Sequence, residues 1–350
     1  MHKHGGDIYQ KEGLLDFSAN INPAGIPEGI ILGAVEGIRR SSHYPDARCS
    51  DLRKAIADKL NLPLEYIICG NGAADLIFSL ILALKPKKAL LPVPSFYEYE
   101  QALRTVDCEL TYFPMKKEHN FQPGKEFLEE IKEDTEIIFL CNPNNPTGQL
   151  INHELLLKIL LKCEQLGIWL IADECFLDFI DASADLTLMK QCREAKHLFI
   201  LKAFTKLYAM PGLRLGYGIS SNAALLNRMR EVSQPWNVSV PAQLAGIAAL
   251  KEDRYVAESL DLIKKERNYL SIELQKLDYI IYGSRANYIF FQTVPGLYEY
   301  CLRKGILIRD CSNYQGLTEG YYRIAVKNHE ENEQLIRVLG EAKSEWQKQL

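Results

Sequence analysis

The sequence lacks the features that define several large classes of protein. Its nine cysteines are scattered, with no CxxC pair and no histidines interleaved at metal-ligand spacing, so neither a disulfide framework nor a zinc site is indicated. No apolar run approaches the length of a membrane-spanning helix, and the first residues contain no apolar signal segment. A formal net charge of −4 provides no general attraction for nucleic acid or an anionic membrane. We therefore expect a cytoplasmic protein with reduced cysteines, no metal, and only local sites for anions.

Apolar runs of strand length recur along the chain between helical patterns. They lie at residues 66–69, 89–93, 137–141, 168–172 and 198–201. This alternation predicts an α/β fold with a mostly parallel sheet sandwiched by helices. Ligands of such sheets bind at the carboxyl ends of the strands, and the polar motifs described below directly follow these runs.

The pattern of predicted secondary structure changes after Pro241. A long helical pattern covers residues 242–277, and strand patterns follow near residues 288–291 and 322–326. The first residues of the chain are rich in Gly, Pro and Asn and are expected to pack against this C-terminal part. For a chain of this length we predict a large domain, residues 36–249, and a small α+β domain formed by residues 1–35 with 250–350.

One lysine stands out in the run KAFTKLYAMPGLRLGYG, residues 202–218. Lys206 lies among small and apolar residues, eight positions before Arg214. A lysine so placed can form a Schiff base while the arginine neutralises a phosphate, which is the chemistry of pyridoxal phosphate (PLP). Lys202, at the end of a strand, could also face the site; the spacing to Arg214 favours Lys206.

Three further segments carry polar groups at strand ends. Asp173 follows an apolar run and would pair with a protonated pyridine nitrogen, although a helix N-cap or a Mg²⁺ ligand is an alternative. CNPNNPTG, residues 141–148, predicts a rigid turn that leaves an amide side chain for a ring oxygen. GNGAADLI, residues 70–77, predicts a glycine-rich turn before a helix that binds an anion. Such turns also bind nucleotides, but no Walker lysine or second half of a dinucleotide-binding fingerprint accompanies it.

Together these motifs resemble the fold-type I PLP enzymes, the aspartate aminotransferase superfamily, over essentially the whole chain. The resemblance implies a large PLP-binding domain and a small terminal domain, with Lys206 and Asp173 in the catalytic roles given above. It also implies the other cofactor ligands: Gly72, Ala73, Ala74, Thr205 and Arg214 around the phosphate, Phe96 stacked on the ring, and Asn145 at the ring hydroxyl.

The resemblance also implies a homodimer. Tyr44, in the HYPD motif, matches a tyrosine that reaches the cofactor phosphate of the neighbouring subunit. Two positions depart from the pattern. Phe176 stands where many members have a tyrosine, and Ala203 where many have a serine or threonine. Ring electronics and phosphate binding are therefore expected to differ from those of a typical aminotransferase.

Two arginines near the C-terminus are candidates for substrate binding. Arg323, in GYYRIAVKNHEEN, matches the family's arginine for an α-carboxylate, a role that its planar guanidinium suits; a surface salt bridge is the alternative. Arg309, in RDCSNYQGL, matches an arginine for a substrate phosphate in the branches that act on phosphorylated substrates. By the same resemblance, His4, the Gly5 amide, Asn20 and Asn145 complete the substrate site, unless His4 is merely a disordered terminal residue.

The resemblance is greatest to the branch of threonine-phosphate decarboxylases. It implies decarboxylation of L-threonine O-3-phosphate to (R)-1-aminopropan-2-yl phosphate, a precursor in cobalamin biosynthesis. The alternative is an aminotransferase that acts on histidinol phosphate, or a similar phosphorylated amine, with 2-oxoglutarate. A third hypothesis, a regulatory or scaffold protein that keeps the fold without turnover, would leave the lysine, aspartate and arginines without a purpose.

Overall fold

A computed structural model describes residues 4–9, 13–180 and 183–347. Its strands are β1 (Leu15–Asp16), β2 (Ile67–Gly70), β3 (Lys88–Val93), β4 (Glu109–Pro114), β5 (Ile137–Cys141), β6 (Trp169–Asp173), β7 (Leu198–Ala203), β8 (Gly216–Ile219), β9 (Ile280–Ile281), β10 (Tyr288–Gln292), β11 (Ile306–Leu307), β12 (Arg309–Asp310) and β13 (Tyr321–Ala325). Its helices are α1 (Glu28–Arg39), α2 (Ser50–Leu60), α3 (Ala73–Leu84), α4 (Tyr97–Arg104), α5 (Phe127–Glu130), α6 (His153–Leu166), α7 (Ala223–Val232), α8 (Val240–Ala249), α9 (Asp253–Lys276), α10 (Leu297–Arg303) and α11 (His329–Gln347).

A seven-stranded sheet with the order β2-β8-β7-β6-β5-β3-β4 forms the centre of the molecule. Neighbouring strands are parallel, except that β8 is antiparallel to both β2 and β7. The predicted α/β fold with a mostly parallel sheet is thus confirmed, and all five predicted strands are present. Strand β4 lies at the sheet edge, and β8 is a short glycine-containing segment inside the lysine motif, so neither has the continuous apolar run that marked the other strands.

Side chains of the central strands alternate between two apolar clusters, one on each face of the sheet. In β5, Ile138 and Leu140 belong to the cluster that contains α6, whereas Ile137, Phe139 and Cys141 belong to the cluster that contains α3. Because successive side chains of a strand point to opposite faces, both faces are covered by helices. Burial on both faces explains why these strands are apolar at nearly every position.

The helical pattern over residues 242–277 predicts one element, but the structure contains two helices there. Helix α8 ends at Ala249 and α9 begins at Asp253. The intervening residues, Leu250, Lys251 and Glu252, include neither glycine nor proline, so the sequence carries no local signal for the break. The break follows from packing instead, because α8 lies against α1 and α9 lies against α11 and β10.

Glycine permits the close contact between α1 and α8. A Cβ atom at Gly37 would lie 2.4 Å from Cα of Pro241, and one at Gly33 would lie 2.9 Å from the carbonyl oxygen of Leu244. Real side chains cannot approach a backbone this closely, so α1 needs glycine at both positions. The predicted domain boundary at residue 36 falls within α1, and the division into two domains stays a prediction.

The N-terminal and C-terminal segments pack together. Strand β1 pairs with β11 in parallel, and an antiparallel sheet with the order β12-β13-β10-β9 lies beside α9, α10 and α11. The Phe17 carbonyl accepts a hydrogen bond from the Ala325 amide, which joins the two segments further. Within the described ranges, no helix combines the length and apolar character needed to span a bilayer.

Candidate active site

A cavity of about 320 Å³ lies at the carboxyl ends of β5, β6 and β7. These strands are parallel neighbours, so the residues that follow them meet at one edge of the sheet. Its wall contains every predicted site residue except Gly72 and Tyr44: His4, Gly5, Asn20, Ala73, Ala74, Phe96, Asn145, Asp173, Thr205, Lys206, Arg214, Arg309 and Arg323. The structure therefore brings together residues that are spread over nearly the whole sequence.

Lys206 occupies a turn just beyond the end of β7 and faces the cavity. Burial lowers the pKa of its amine to about 8, with a further contribution from the nearby positive charges of Arg323 and Arg214. An amine with such a pKa is partly neutral near physiological pH, and the neutral form is the nucleophile. The Phe176 ring centroid lies 6.0 Å from Nζ, so this departure from the family pattern places an apolar ring, without a hydroxyl, beside the lysine.

Lys202, the other candidate, has a structural role. Its Nζ lies 2.6 Å from Oδ1 of Asp178 and 3.8 Å from Oε2 of Glu174, and the side chain is buried. It does not line the cavity. A buried lysine held between two carboxylates stabilises its surroundings and is poorly suited to attack a carbonyl group.

Asp173 ends β6 and is 5% exposed. Its Oδ2 accepts a hydrogen bond of 2.5 Å from the Tyr99 hydroxyl, and its Oδ1 accepts one of 3.0 Å from the Cys175 amide. Burial and the Asp173 charge raise the pKa of Tyr99 well above its ordinary value, which keeps that hydroxyl a donor. Among the described residues no group of three or more His, Cys, Asp and Glu side chains could hold a metal ion.

One end of the cavity has the form of a phosphate site. Gly72 precedes α3 with φ of +85°, and a Cβ atom there would lie 2.5 Å from an Nη atom of Arg214. Glycine thus lets the guanidinium approach the first turn of α3, where Ala73 and Ala74 line the cavity with Thr205. The free amide groups of a helix N-terminus and an arginine together favour an anion.

Arg323 and Asn145 meet deep in the cavity wall. One Nη of Arg323 donates to Oδ1 of Asn145, and the other donates to the Ser18 carbonyl at 2.7 Å. Its Nε is buried and has no hydrogen-bond partner among the described residues, and the same is true of Oδ1 of Asn20. Buried polar atoms without partners are costly, and a polar ligand in the cavity would satisfy them.

Arg309 stands at another part of the wall and is also buried. One of its Nη atoms donates to Oδ1 of Asn313 at 2.8 Å, and its guanidinium lies 5.0 Å from the Tyr314 ring centroid. The N-terminal segment packs against Ser18: a Cβ atom at Gly5 would lie 2.2 Å from the Ser18 carbonyl oxygen, so this position requires glycine. The structure therefore places His4 in the cavity wall, and burial together with Arg309 lowers its pKa.

Sequence reasoning missed several residues of the wall: Ser18, Ala19, Tyr97, Glu98, Cys141, Cys175 and Tyr314. Three of them had a usable signal. Cys141 is the first residue of the CNPNNPTG motif. Glu98 lies two positions after Phe96, and Tyr314 lies within the RDCSNYQGL motif that pointed to Arg309. Tyr44 lies outside the cavity; it is 78% exposed and stacks on Trp236, with 4.4 Å between ring centroids.

The motifs and the geometry of the cavity agree with the comparison to known families. Residues 12–339 match the family of class I and II aminotransferases. The chain belongs to this family. It is similar to the threonine-phosphate decarboxylase of Salmonella typhimurium, at 36% identity over 348 residues, which cover 96% of this chain and 95% of that protein.

Aminotransferases of histidinol phosphate are also similar to the chain. The enzyme of Methanosarcina mazei is 30% identical over 341 residues, which cover 95% of this chain and 89% of that protein. The crystal structure of the enzyme from Clostridium acetobutylicum superposes with a TM-score of 0.89 at 34% identity, covering 95% of this chain and 100% of that one. The fold is therefore the fold-type I architecture that the sequence predicted.

The protein is a PLP-dependent enzyme, and its cavity fits that cofactor. The turn before α3 with Arg214 would hold the phosphate, Asp173 the pyridine nitrogen, and Lys206 the carbonyl carbon. When bound, PLP withdraws electrons from the carbon that bears the substrate amine. The position of the Arg214 guanidinium beside Gly72, at the start of α3, is the structural feature that most directly supports this fit.

Proposed function

We propose that the protein decarboxylates L-threonine O-3-phosphate to (R)-1-aminopropan-2-yl phosphate and CO₂, as a cytoplasmic lyase of cobalamin biosynthesis. The observation that carries this proposal is the pair of buried arginines, Arg309 and Arg323, in the wall of one cavity beside Lys206. Arg214 would already be engaged by the cofactor phosphate. Two further guanidinium groups suit a substrate that has two anionic groups of its own, a carboxylate and a phosphate.

Each arginine has a distinct task in this proposal. Arg323, with its unpaired Nε, would bind the α-carboxylate, and Arg309 would bind the phosphate together with His4. Anchoring both ends of the substrate restricts rotation about its Cα, and the bond held perpendicular to the cofactor ring is the one that breaks. Binding energy at the remote phosphate is thereby used to orient the reacting carbon.

Lys206 would transfer the proton that replaces the lost carboxylate. Its lowered pKa lets the amine both accept and donate a proton near neutral pH. The apolar Phe176 ring beside it would help to exclude water from this end of the cavity. Exclusion of water strengthens the charge interactions that orient the substrate.

Transamination of histidinol phosphate is the second candidate function. Two relatives described above are named histidinol-phosphate aminotransferases. All the proposed cofactor residues would serve that reaction equally. Histidinol phosphate has a phosphate but no carboxylate, so it would use Arg309 and leave Arg323 to the oxo-acid partner. Histidinol phosphate itself would therefore engage one of the two arginines, whereas L-threonine O-3-phosphate would engage both.

Release of CO₂ separates the two functions. We expect the purified enzyme, loaded with PLP, to release CO₂ from L-threonine O-3-phosphate without any oxo acid, because the reaction consumes no amino-group acceptor. Histidinol phosphate with 2-oxoglutarate serves as the parallel assay. If amino-group transfer to 2-oxoglutarate is the only turnover detected, the decarboxylase proposal is wrong.

We also propose a homodimer in which Tyr44 reaches the cofactor phosphate of the partner subunit. The exposure of Tyr44 and Trp236 supports this proposal, as do the exposed apolar side chains of α1, namely Ile31, Leu32, Val35 and Ile38. An apolar patch of this kind on one helix is typical of an interface. Tyr44 does not line the cavity of its own chain, so in this proposal a second copy brings it to the site.

Substitution of Tyr44 tests the dimer. We expect Tyr44→Phe to weaken PLP affinity by about tenfold, since a hydrogen bond to a charged group contributes about 1.5 kcal/mol or more. Fluorescence titration of the cofactor measures the affinity, and light scattering measures the mass. A monomeric wild-type enzyme, or a variant with unchanged PLP affinity, would contradict the proposal.

A further inference from the structure

Glu98 is a carboxyl group in the cavity to which neither the cofactor nor the reaction described above assigns a role. It is the second residue of α4 and lines the cavity near His4, with its side chain 15% exposed. Its Oε1 lies 3.4 Å from Nδ1 of His4. Its Oε2 is buried and has no hydrogen-bond partner among the described residues.

Neighbouring groups both raise and lower the pKa of the Glu98 carboxyl. Burial is the main cause that raises its pKa to about 7; the Asp173 charge acts in the same direction, and its own backbone amide, Lys206 and Arg309 oppose it. His4 is held towards its neutral form by burial and by Arg309, which lower its pKa. Tyr314, which faces the same space, has a raised pKa and is neutral near pH 7. Of Glu98, His4 and Tyr314, Glu98 is therefore the group whose pKa is placed at about 7.

A phosphorylated substrate would favour the protonated form of Glu98. A phosphate monoester carries close to two negative charges at neutral pH, and it would repel an ionised carboxylate beside it. A protonated carboxyl group instead donates a hydrogen bond to an anionic oxygen. The orphan Oε2 is the oxygen that can carry this proton without breaking an existing contact.

We propose that Glu98 binds the phosphate of the substrate in its protonated form, donating a hydrogen bond from its carboxyl group, so that binding takes up one proton from solution. The proposal rests on the proposed function in that the ligand is a phosphate monoester whose phosphate lies beside Arg309 and His4. Glu98 is thus a specificity-determining residue, because a ligand with a cation at this position would favour the ionised form instead.

The direction of the pH dependence follows from linkage. In the free enzyme Glu98 is protonated below its pKa of about 7, so phosphate binding there requires no further proton. A bound phosphate raises the pKa of Glu98, and above pH 7 each bound ligand must therefore be accompanied by a proton. Affinity for the phosphate is expected to fall by about tenfold per pH unit above pH 7, until the pKa of the complex is reached.

Calorimetry on the PLP-loaded enzyme tests this without turnover. The probe is propan-2-yl phosphate, which has a phosphate but no amine or carboxylate and cannot react. Titration at about pH 8, in buffers of different ionisation enthalpy, measures the protons taken up; we expect about one in the wild type. Glu98→Gln, which mimics the protonated carboxyl, should take up none and should bind with an affinity that does not fall between about pH 7 and pH 8.

The control variant is Glu100→Gln, which changes a carboxyl on the same helix. Glu100 pairs with Arg104 and does not line the cavity, so proton uptake should equal that of the wild type. Cofactor absorbance shows that each variant retains its site. Equal proton uptake in the wild type and Glu98→Gln, or failure of the wild type to bind the probe, would overturn the proposal. If the wild type releases no CO₂ from L-threonine O-3-phosphate but still shows proton uptake that depends on Glu98, only the decarboxylase function is contradicted.

Discussion

We expect Lys206→Ala to remove the yellow absorbance of a lysine-bound cofactor and to lower turnover by roughly 10⁴-fold or more, since loss of a covalent catalytic group has effects of this size. The expectation rests on the position of Lys206 in the cavity and on the lowered pKa of its amine. The fold should persist, because alanine removes a charged amine that has been desolvated at some cost. Absorbance spectra and CO₂ release measure the two effects.

Lys202→Ala is the matched control, and we expect the opposite pattern. Its removal leaves Glu174 buried without its cation, which should lower the free energy of unfolding by about 3–5 kcal/mol. Cofactor absorbance should remain in the folded protein. Borohydride reduction and peptide mapping of the wild type would locate the modified lysine directly; modification at Lys202, or wild-type absorbance in Lys206→Ala, would contradict the assignment.

The second large effect concerns the two substrate arginines. We expect Arg309→Gln to raise KM for L-threonine O-3-phosphate by about a hundredfold, because removing one partner of a buried, hydrogen-bonded charge pair costs about 2–5 kcal/mol. Arg323→Gln should lower kcat as well, since the carboxylate that it orients is the leaving group. PLP affinity should change little in either variant, because neither arginine belongs to the cofactor phosphate site.

The ratio of amino-group transfer to CO₂ release further distinguishes the roles of the two arginines. If Arg323 fixes the torsion at Cα, then Arg323→Gln should also increase the fraction of turnovers that transfer the amino group instead of releasing CO₂. Arg309→Gln should leave that fraction closer to the wild-type value. Identical changes in KM, kcat and product ratio for the two variants would mean that they do not have the separate tasks proposed.

Much of the cofactor site was predictable because its signals are local. Lys206 and Arg214 lie in one short motif, and Asp173 directly follows an apolar run of the sequence. Such patterns report residue type and spacing, which determine what chemistry is available. The same reasoning predicted the parallel sheet, since its strands are apolar on both faces.

Other features depended on contacts between distant segments. No glycine or proline marks the break between α8 and α9 in the sequence. The break arises because α8 packs against α1, whereas α9 packs against α11 and β10. Spacing alone favours Lys206 over Lys202, and the structure adds the pairing of Lys202 with Asp178, which supports the same choice. Glu98 has the sequence context of an ordinary charge in a helix, and only the fold buries it near His4.

The sequence by itself determined the family, the cofactor and the fold class, because these depend on which side chains are present and on their local spacing. Only the tertiary structure decided which charges face one another and which are buried. Protonation near neutral pH depends on those two quantities, as the pKa values of Lys206 and Glu98 illustrate. Residues from both ends of the chain define this environment, and no local pattern contains it.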